Sequence, residues 1–306
     1  MRTDTLPSLN QRPARRKFNR RAGLGWLFIA PCVAFVIVFF VVPLIMTAWM
    51  SLFSWPLLGA HRYIAFGNYA ELSRDPTFWA ALKFTLLYAL IVTPAIFLVA
   101  FALAVIVRRP SRAVGFLRTA YFLPVVIGLG TASVLWVWLL NPQVGVLNAI
   151  TQGLRLTTDP IPYLDSIRNA LTTISAMIVW KTAGLTMLLL LVGLQAIPTS
   201  LYEAARIDGA NWWQQLVRVT LPLMRRTFAL ALVLSVTGSM LAFDQFYILT
   251  HGGPENSTIT AVFAIYNASF VSFRLGYGAA LSIVLLVVLV IISIVQLYLL
   301  RDDTQY

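Results

Sequence analysis

Charge is what this 306-residue sequence has least of: 11% of its residues are charged, against 59% hydrophobic. A soluble domain carries about 25% charged residues, and so few ionised groups would not keep a soluble enzyme in solution. Disorder is excluded on the same grounds, because it needs low hydrophobicity and high charge. Cysteine occurs once, at Cys32, so no internal disulfide holds the fold. The two histidines, His61 and His251, lie far apart in separate loops, and the residues offer no metal-ligating constellation. No nucleophile–base arrangement stands out, and the phosphate-cradling Gly-x-x-x-x-Gly-Lys-Ser/Thr loop is missing, so this chain does not hydrolyse ATP itself. With a mean hydropathy of +0.80, the chain reads as an integral membrane protein without catalytic groups.

A helix needs roughly 20 apolar residues to cross the ~30 Å hydrocarbon layer. Six continuous apolar runs meet that need, at about 26–50, 84–107, 119–140, 171–195, 228–249 and 279–300. Continuous runs predict helices, because barrel strands alternate over about ten residues. The fold class is therefore an all-α membrane protein with six transmembrane helices. The basic start followed by an apolar run mimics a signal peptide, but the run is too long and has no small-residue cleavage site. The chain divides into a basic tail (1–25), a first span with its external loop (26–77), a membrane core (78–300) and a short tail (301–306).

Lys and Arg placement sets orientation, since cytoplasmic loops keep positive charge. Sixteen of these residues fall on one side: in the tail before the first span, in 108–118, in 206–226 and at Arg301. Six fall on the other, at Arg62, Arg74, Lys83, Arg155, Arg168 and Arg274. Both termini are thus expected in the cytoplasm. The net charge of +12 reads as topology plus attraction to anionic membrane lipid. No basic stretch is interleaved with aromatics, which argues against nucleic acid as a partner.

The cytoplasmic loop 197–226 carries the most information. Pro198 ends the fourth span, and Ser200 with Glu203 has the spacing of a capping box. A helix is expected over 201–208, with Gly209 as its stop, and Asn211 with Gln214 repeats the cap-like pattern before a second short helix. Ala204 and Ala205 present small side chains that let another protein's backbone come close. Spacing alone leaves two readings open, a capped connector and a docking element. On the opposite side, Thr250-His251-Gly252-Gly253-Pro254 marks a sharp turn, and 259–273 reads as a short helix at the outer interface rather than a seventh crossing.

Glu203-Ala204-Ala205, then Gly209, then Val219 and Leu221-Pro222 resembles the EAA signature of ABC importer permeases, with Val219 in place of the usual Ile. The wider pattern is similar to the binding-protein-dependent sugar-permease branch. It includes Phe66-Gly67-Asn68-Tyr69, Trp180-Lys181, Leu194-Gln195-Ala196-Ile197-Pro198, Phe243-Asp244 and Gly276-Tyr277-Gly278. The resemblance implies a type I importer permease in a bacterial cytoplasmic membrane, translocating a sugar or related polyol. It also implies three partners: a cytoplasmic ABC ATPase dimer, a second homologous permease subunit and an external solute-binding protein. ATP and Mg would sit on the ATPase, with no cofactor bound by this chain. Glu203, Ala204, Ala205, Asp208 and Gly209 would form the ATPase-coupling helix. The same machinery carrying a glycerol-phosphate-like solute, and a stand-alone secondary carrier, are the alternatives. A secondary carrier would show paired interrupted helices in two halves.

Lys181 and Asp244 are the ionisable residues placed inside the expected spans. A charge near the bilayer centre costs about 2.5–3.5 kcal/mol on insertion scales, so such residues face the bundle and find a partner. One reading is an ion pair between them, direct or water-bridged, that sets helix register. The other has Asp244, with Tyr247 and Asn267, lining a solute path and accepting hydrogen bonds from sugar hydroxyls. Phe243, Phe246 and Tyr247 are stacking candidates because they flank Asp244. Trp26, Trp49, Trp136 and Trp138 lie near span ends, where indole rings prefer the interface.

Overall fold

A computed structural model describes residues 20–108 and 111–300, with side chains from Phe28 onward. Most of the basic N-terminal tail, Arg109 and Arg301 lie outside the described residues, as does the side chain of Trp26. The described residues form two compact units that divide between Thr47 and Ala48. The first holds most of one apolar helix, Arg20–Val36, which continues through a wider π-type turn at Ile37–Val41 into Val42–Met50.

Five helices among the described residues are long and apolar enough to cross a bilayer: Phe28–Met50, Pro76–Ile106, Ile167–Gln195, Arg225–Leu249 and Leu275–Leu299. A bent pair, Arg112–Val126 and Leu129–Leu139, meets the same criterion as a sixth. The second span starts at Pro76 rather than near 84. Asp75 caps it, its Oδ1 accepting from the N–H groups of Thr77 (2.9 Å) and Phe78 (3.4 Å), and Pro76 suits the first helical position because its missing N–H would be unpaired there anyway.

Two expected spans are broken. The third bends by 97° between Val126 and Leu129. Ile127 and Gly128 adopt extended backbone there, and Pro124 just upstream has no N–H to give its own helix. The fifth leaves the helix at residues 241–243 and resumes as Asp244–Leu249, with Phe243 at φ −141°, ψ −64°. Thr260 closes that gap, donating its hydroxyl to the freed Ala242 carbonyl at 2.7 Å. It also caps the short helix Ala261–Tyr266, which runs on through Asn267–Val271 as the short helix the sequence suggested over 259–273.

Small residues let the spans approach closely, the usual device for helix packing in lipid. A Cβ added at Gly184 of the fourth span would run into the Tyr121 carbonyl of the third. One at Gly193 would strike the Thr227 side chain of the fifth. The buried residues gather in three clusters. One centres on Tyr88, Ile174, Met177 and Phe246, one on Met187, Leu190, Leu194 and Met224, and one on Phe78, Met240 and Leu281.

Between the first and second spans, the two-residue strands Phe53–Ser54 and Arg62–Tyr63 pair as a hairpin. Asn68 donates from Nδ2 to the carbonyls of Ser51 (2.7 Å) and Phe53 (2.9 Å). The Gly276 N–H bonds the Trp55 carbonyl at 3.2 Å, and Gly276 lies so close to the Phe53 carbonyl that no side chain fits. The hairpin is thereby fastened to the start of the last span.

Candidate functional site

The loop after the fourth span folds as a helix over Thr199–Ile207, beginning two residues before the expected start. Its N-cap is Pro198, without a side-chain cap. The expected Ser200–Glu203 capping box therefore does not form, because Ser200 already lies inside the first turn. The stop is as expected. Gly209 takes φ +78°, its N–H bonds the Arg206 carbonyl at 3.0 Å and the Ala210 N–H bonds that of Ala205 at 2.8 Å. That pair of bonds is a Schellman closure, in which glycine enters the left-handed region at little cost. Asn211 and Gln214 form a complete capping box for the next helix, each backbone N–H reaching the other's side-chain oxygen at 2.8 Å.

Sequence reasoning missed what carries this helix. Tyr202 is its one buried residue. The Tyr202 hydroxyl lies 3.0 Å from that of Thr220, and the Arg108 guanidinium stacks 4.5 Å from the ring centroid. A tyrosine beside the Glu-Ala-Ala run was the available signal. With one anchor turned inward, Glu203, Ala204, Asp208 and Gly209 are exposed, Ala205 is half-buried, and Ile207 stands 87% exposed. A groove of about 610 Å³ runs beside the helix, lined by Arg108, Tyr202, Glu203, Arg206 and Trp212 among others.

The two charges inside the spans do not pair. Lys181, 8% exposed, points its ammonium at the break in the third span. It donates to the carbonyls of Ile127 (2.6 Å), Pro124 (3.3 Å) and Val125 (3.4 Å). The expected Lys181–Asp244 ion pair is thus corrected: among the described residues the salt bridge is Arg274–Glu71. The physical reason is the bend. Carbonyls freed at a helix C-terminus form the negative end of the helix dipole, so the cation is satisfied without a carboxylate. Asp244 is half-buried in the first turn of Asp244–Leu249.

A cavity of about 250 Å³ opens beside both breaks. Its polar lining is Lys181, Thr182, Thr186, Ser235, Ser239 and Gln245, set among aliphatic side chains such as Leu185 and Leu234. Gln245 is 2% exposed; its Nε2 lies 3.4 Å from the Tyr88 hydroxyl, while its Oε1 has no partner. A buried acceptor left unpaired costs about 1–3 kcal/mol, and here it accompanies a cavity edged with hydroxyls. Thr182, Thr186, Ser235 and Ser239 went unnoticed in the sequence because Ser and Thr inside a span also serve their own helix, as Thr182 does on the Ile178 carbonyl (2.7 Å).

Of the three solute-path candidates, Asp244 and Tyr247 stand one turn apart on the helix Asp244–Leu249. Tyr247 joins an aromatic group, its centroid 5.2 Å from Phe243, 5.3 Å from Phe263 and 5.3 Å from Tyr266. Asn267 lines a different cavity, of about 200 Å³, with Asp75, Arg274 and Tyr277. It is Tyr266, its neighbour in sequence, that meets Tyr247. Phe246 is not available for stacking, being fully buried edge-to-face against Phe84 (5.3 Å) and Tyr88 (5.0 Å). Trp136 packs on Trp180 with centroids 6.0 Å apart, whereas Trp49 and Trp138 are exposed.

Comparison with known proteins agrees with this architecture. A family model described as "Binding-protein-dependent transport system inner membrane component" matches residues 111–302. A probable ABC transporter permease protein of Bacillus subtilis is 32% identical over 285 residues, covering 91% of this chain and 96% of that protein. A lactose transport system permease protein of Rhizobium radiobacter is also 32% identical, covering 91% and 94%. The fold matches a crystal structure of a bacterial ABC transporter involved in the import of the acidic polysaccharide alginate. That match has a TM-score of 0.80 and 24% identity over 94% of this chain and 98% of the other.

Proposed function

We propose that this chain, which belongs to the family of binding-protein-dependent transport system inner membrane components, is the permease subunit of an ATP-driven importer of a sugar or related polyol. The observation that carries the proposal is the helix Thr199–Ile207, held by Tyr202 alone and joined directly to the fourth span, while that span lines the polar cavity at Lys181, Thr182 and Thr186. A short rigid helix fixed to the end of a span converts the closing of a docked motor into rigid-body movement of that span.

In this reading both termini face the cytoplasm. The helix with Glu203, Ala204, Ala205, Asp208 and Gly209 seats in a groove of a cytoplasmic ATPase dimer, which holds the ATP and Mg. A second permease subunit completes the pathway, and an external binding protein delivers the solute. This chain's own residues offer the solute hydroxyl and amide partners in the cavity, with Asp244 and Tyr247 toward its outer side. The relationship to a lactose permease supports a carbohydrate.

Reconstitution tests it. Purified with its second permease subunit, ATPase and binding protein and placed in sealed vesicles, the chain is expected to support uptake of a labelled sugar that requires ATP and ignores ion gradients. Uptake by this chain alone, driven by a proton or sodium gradient, would overturn the proposal.

A further inference from the structure

We infer that Lys181 is a positioning residue, tying the fourth span to the break in the third so that movement of the cytoplasmic helix reaches the cavity wall. The inference rests on the importer reading above for the meaning of that movement. The fourth span is one unbroken helix, Ile167–Gln195, and three residues separate it from Thr199–Ile207. Displacement of the short helix therefore displaces the span as a rod.

Along that rod the grip on the third span is close and polar. Gly184 abuts the Tyr121 carbonyl too tightly for any Cβ. Less than one helical turn away, the Lys181 ammonium holds Pro124 and Val125 at the end of one arm and Ile127 in the break itself. Three N–H donors meet three carbonyls that the bend has removed from helical bonding. Leu129, the first residue of the other arm, lines the cavity together with Lys181. One side chain rooted in the fourth span thus bonds both the end of the first arm and the break that leads to the second. Without it the freed carbonyls would face an apolar interior unpaired, and polar backbone at membrane depth is tolerated only where it is satisfied or lines a wet cavity.

The test uses the complex of this chain with its second permease subunit, ATPase and binding protein in lipid nanodiscs. Cys32 is replaced by Ser, and spin labels are placed at L123C and V134C, exposed positions on the two arms. With Lys181 present, a single narrow label distance is expected, shifting when ATP is trapped on the ATPase. K181M should broaden that distance, abolish the shift and lower hydrolysis stimulated by the binding protein at least tenfold. K181R, which keeps several donors, should restore a narrow distance and most of the stimulation, and K181Q should fall between. A merely space-filling role predicts that K181M, close to lysine in length, does better than K181R, and that order would overturn the inference. So would a K181M complex with an unaltered distance and shift. A complex retaining Lys181 whose label distance is narrow but indifferent to ATP would instead count against the importer reading.

Discussion

The Arg274 guanidinium grips the Glu71 carboxylate through two parallel hydrogen bonds, Nη1 to Oε1 at 2.7 Å and Nη2 to Oε2 at 2.6 Å. Arg274 also stacks 4.7 Å from the centroid of Tyr277, whose hydroxyl donates to Asp75 Oδ2 at 2.6 Å. This clasp joins the start of the second span to that of the last. Arg274 holds the Glu71 carboxyl below its ordinary value of 4.5. For Asp75, burial pushes upward, yet hydrogen bonds from Tyr277 and from the backbone of Thr77 and Phe78 leave its carboxyl below the ordinary 3.8.

A pH dependence follows from those directions. A depressed carboxylate stabilises the fold fully above its unfolded value, and that contribution is lost as pH falls through the folded value. Thermal unfolding in nanodiscs should therefore be flat from pH 7 to about pH 5 and then decline. The E71Q variant should show a smaller decline. Both partners are about half exposed, so loss of the pair should cost no more than about 1 kcal/mol.

Gly209 stands at φ +78° with open space where a side chain would go. The cost of G209V is therefore conformational, of the order of 1–2 kcal/mol for a branched residue forced left-handed, and G209N should be milder. The valine variant should insert and assemble yet hydrolyse ATP without matching uptake. Full uptake alongside normal expression would remove the coupling role from this turn.

Tyr202 offers a graded test. Y202F loses the hydroxyl contact with Thr220, worth about 0.5–1.5 kcal/mol, and should leave co-purification of the ATPase nearly intact. Y202A empties the anchor's buried site, at a cost of about 3–5 kcal/mol by analogy with other large aromatic truncations. It should release the ATPase from the detergent-purified complex, as read by the subunit ratio on size exclusion.

Gln245 separates stability from transport. Replacing this buried amide by Leu removes the unpaired Oε1 but also takes the partner from the buried Tyr88 hydroxyl, so the two effects offset and the unfolding temperature should change little. Uptake should weaken about tenfold, equivalent to about 1.4 kcal/mol, if that oxygen accepts from a solute hydroxyl. Unchanged concentration dependence of uptake in Q245L would take the residue out of the solute path.

The legible parts were those that depend on local pattern. Apolar run length found five spans and the bent pair that makes a sixth, and the Gly209 stop and the Asn211–Gln214 cap were readable because a helix end draws its partners from residues three or four positions away. The Ser200–Glu203 box misled for the same local reason: its spacing was right, but the helix began at Thr199 with Pro198 outside it. Nothing local says that Tyr266 rather than Asn267 stacks on Tyr247, because the chain passes from α-type to wider π-type turns at Asn267.

Hydropathy and short capping motifs settled, by sequence alone, that this is a membrane protein and which loop presents a helix, because each acts through neighbours along the chain or through a bilayer that averages over whole segments. The partner of Lys181 was decided in three dimensions. Its acceptors lie 54 to 57 residues away and exist as acceptors only once the third span has bent and released them from helical bonding. A sequence records carboxylates as possible counter-ions for a lysine, whereas backbone carbonyls become available through geometry alone.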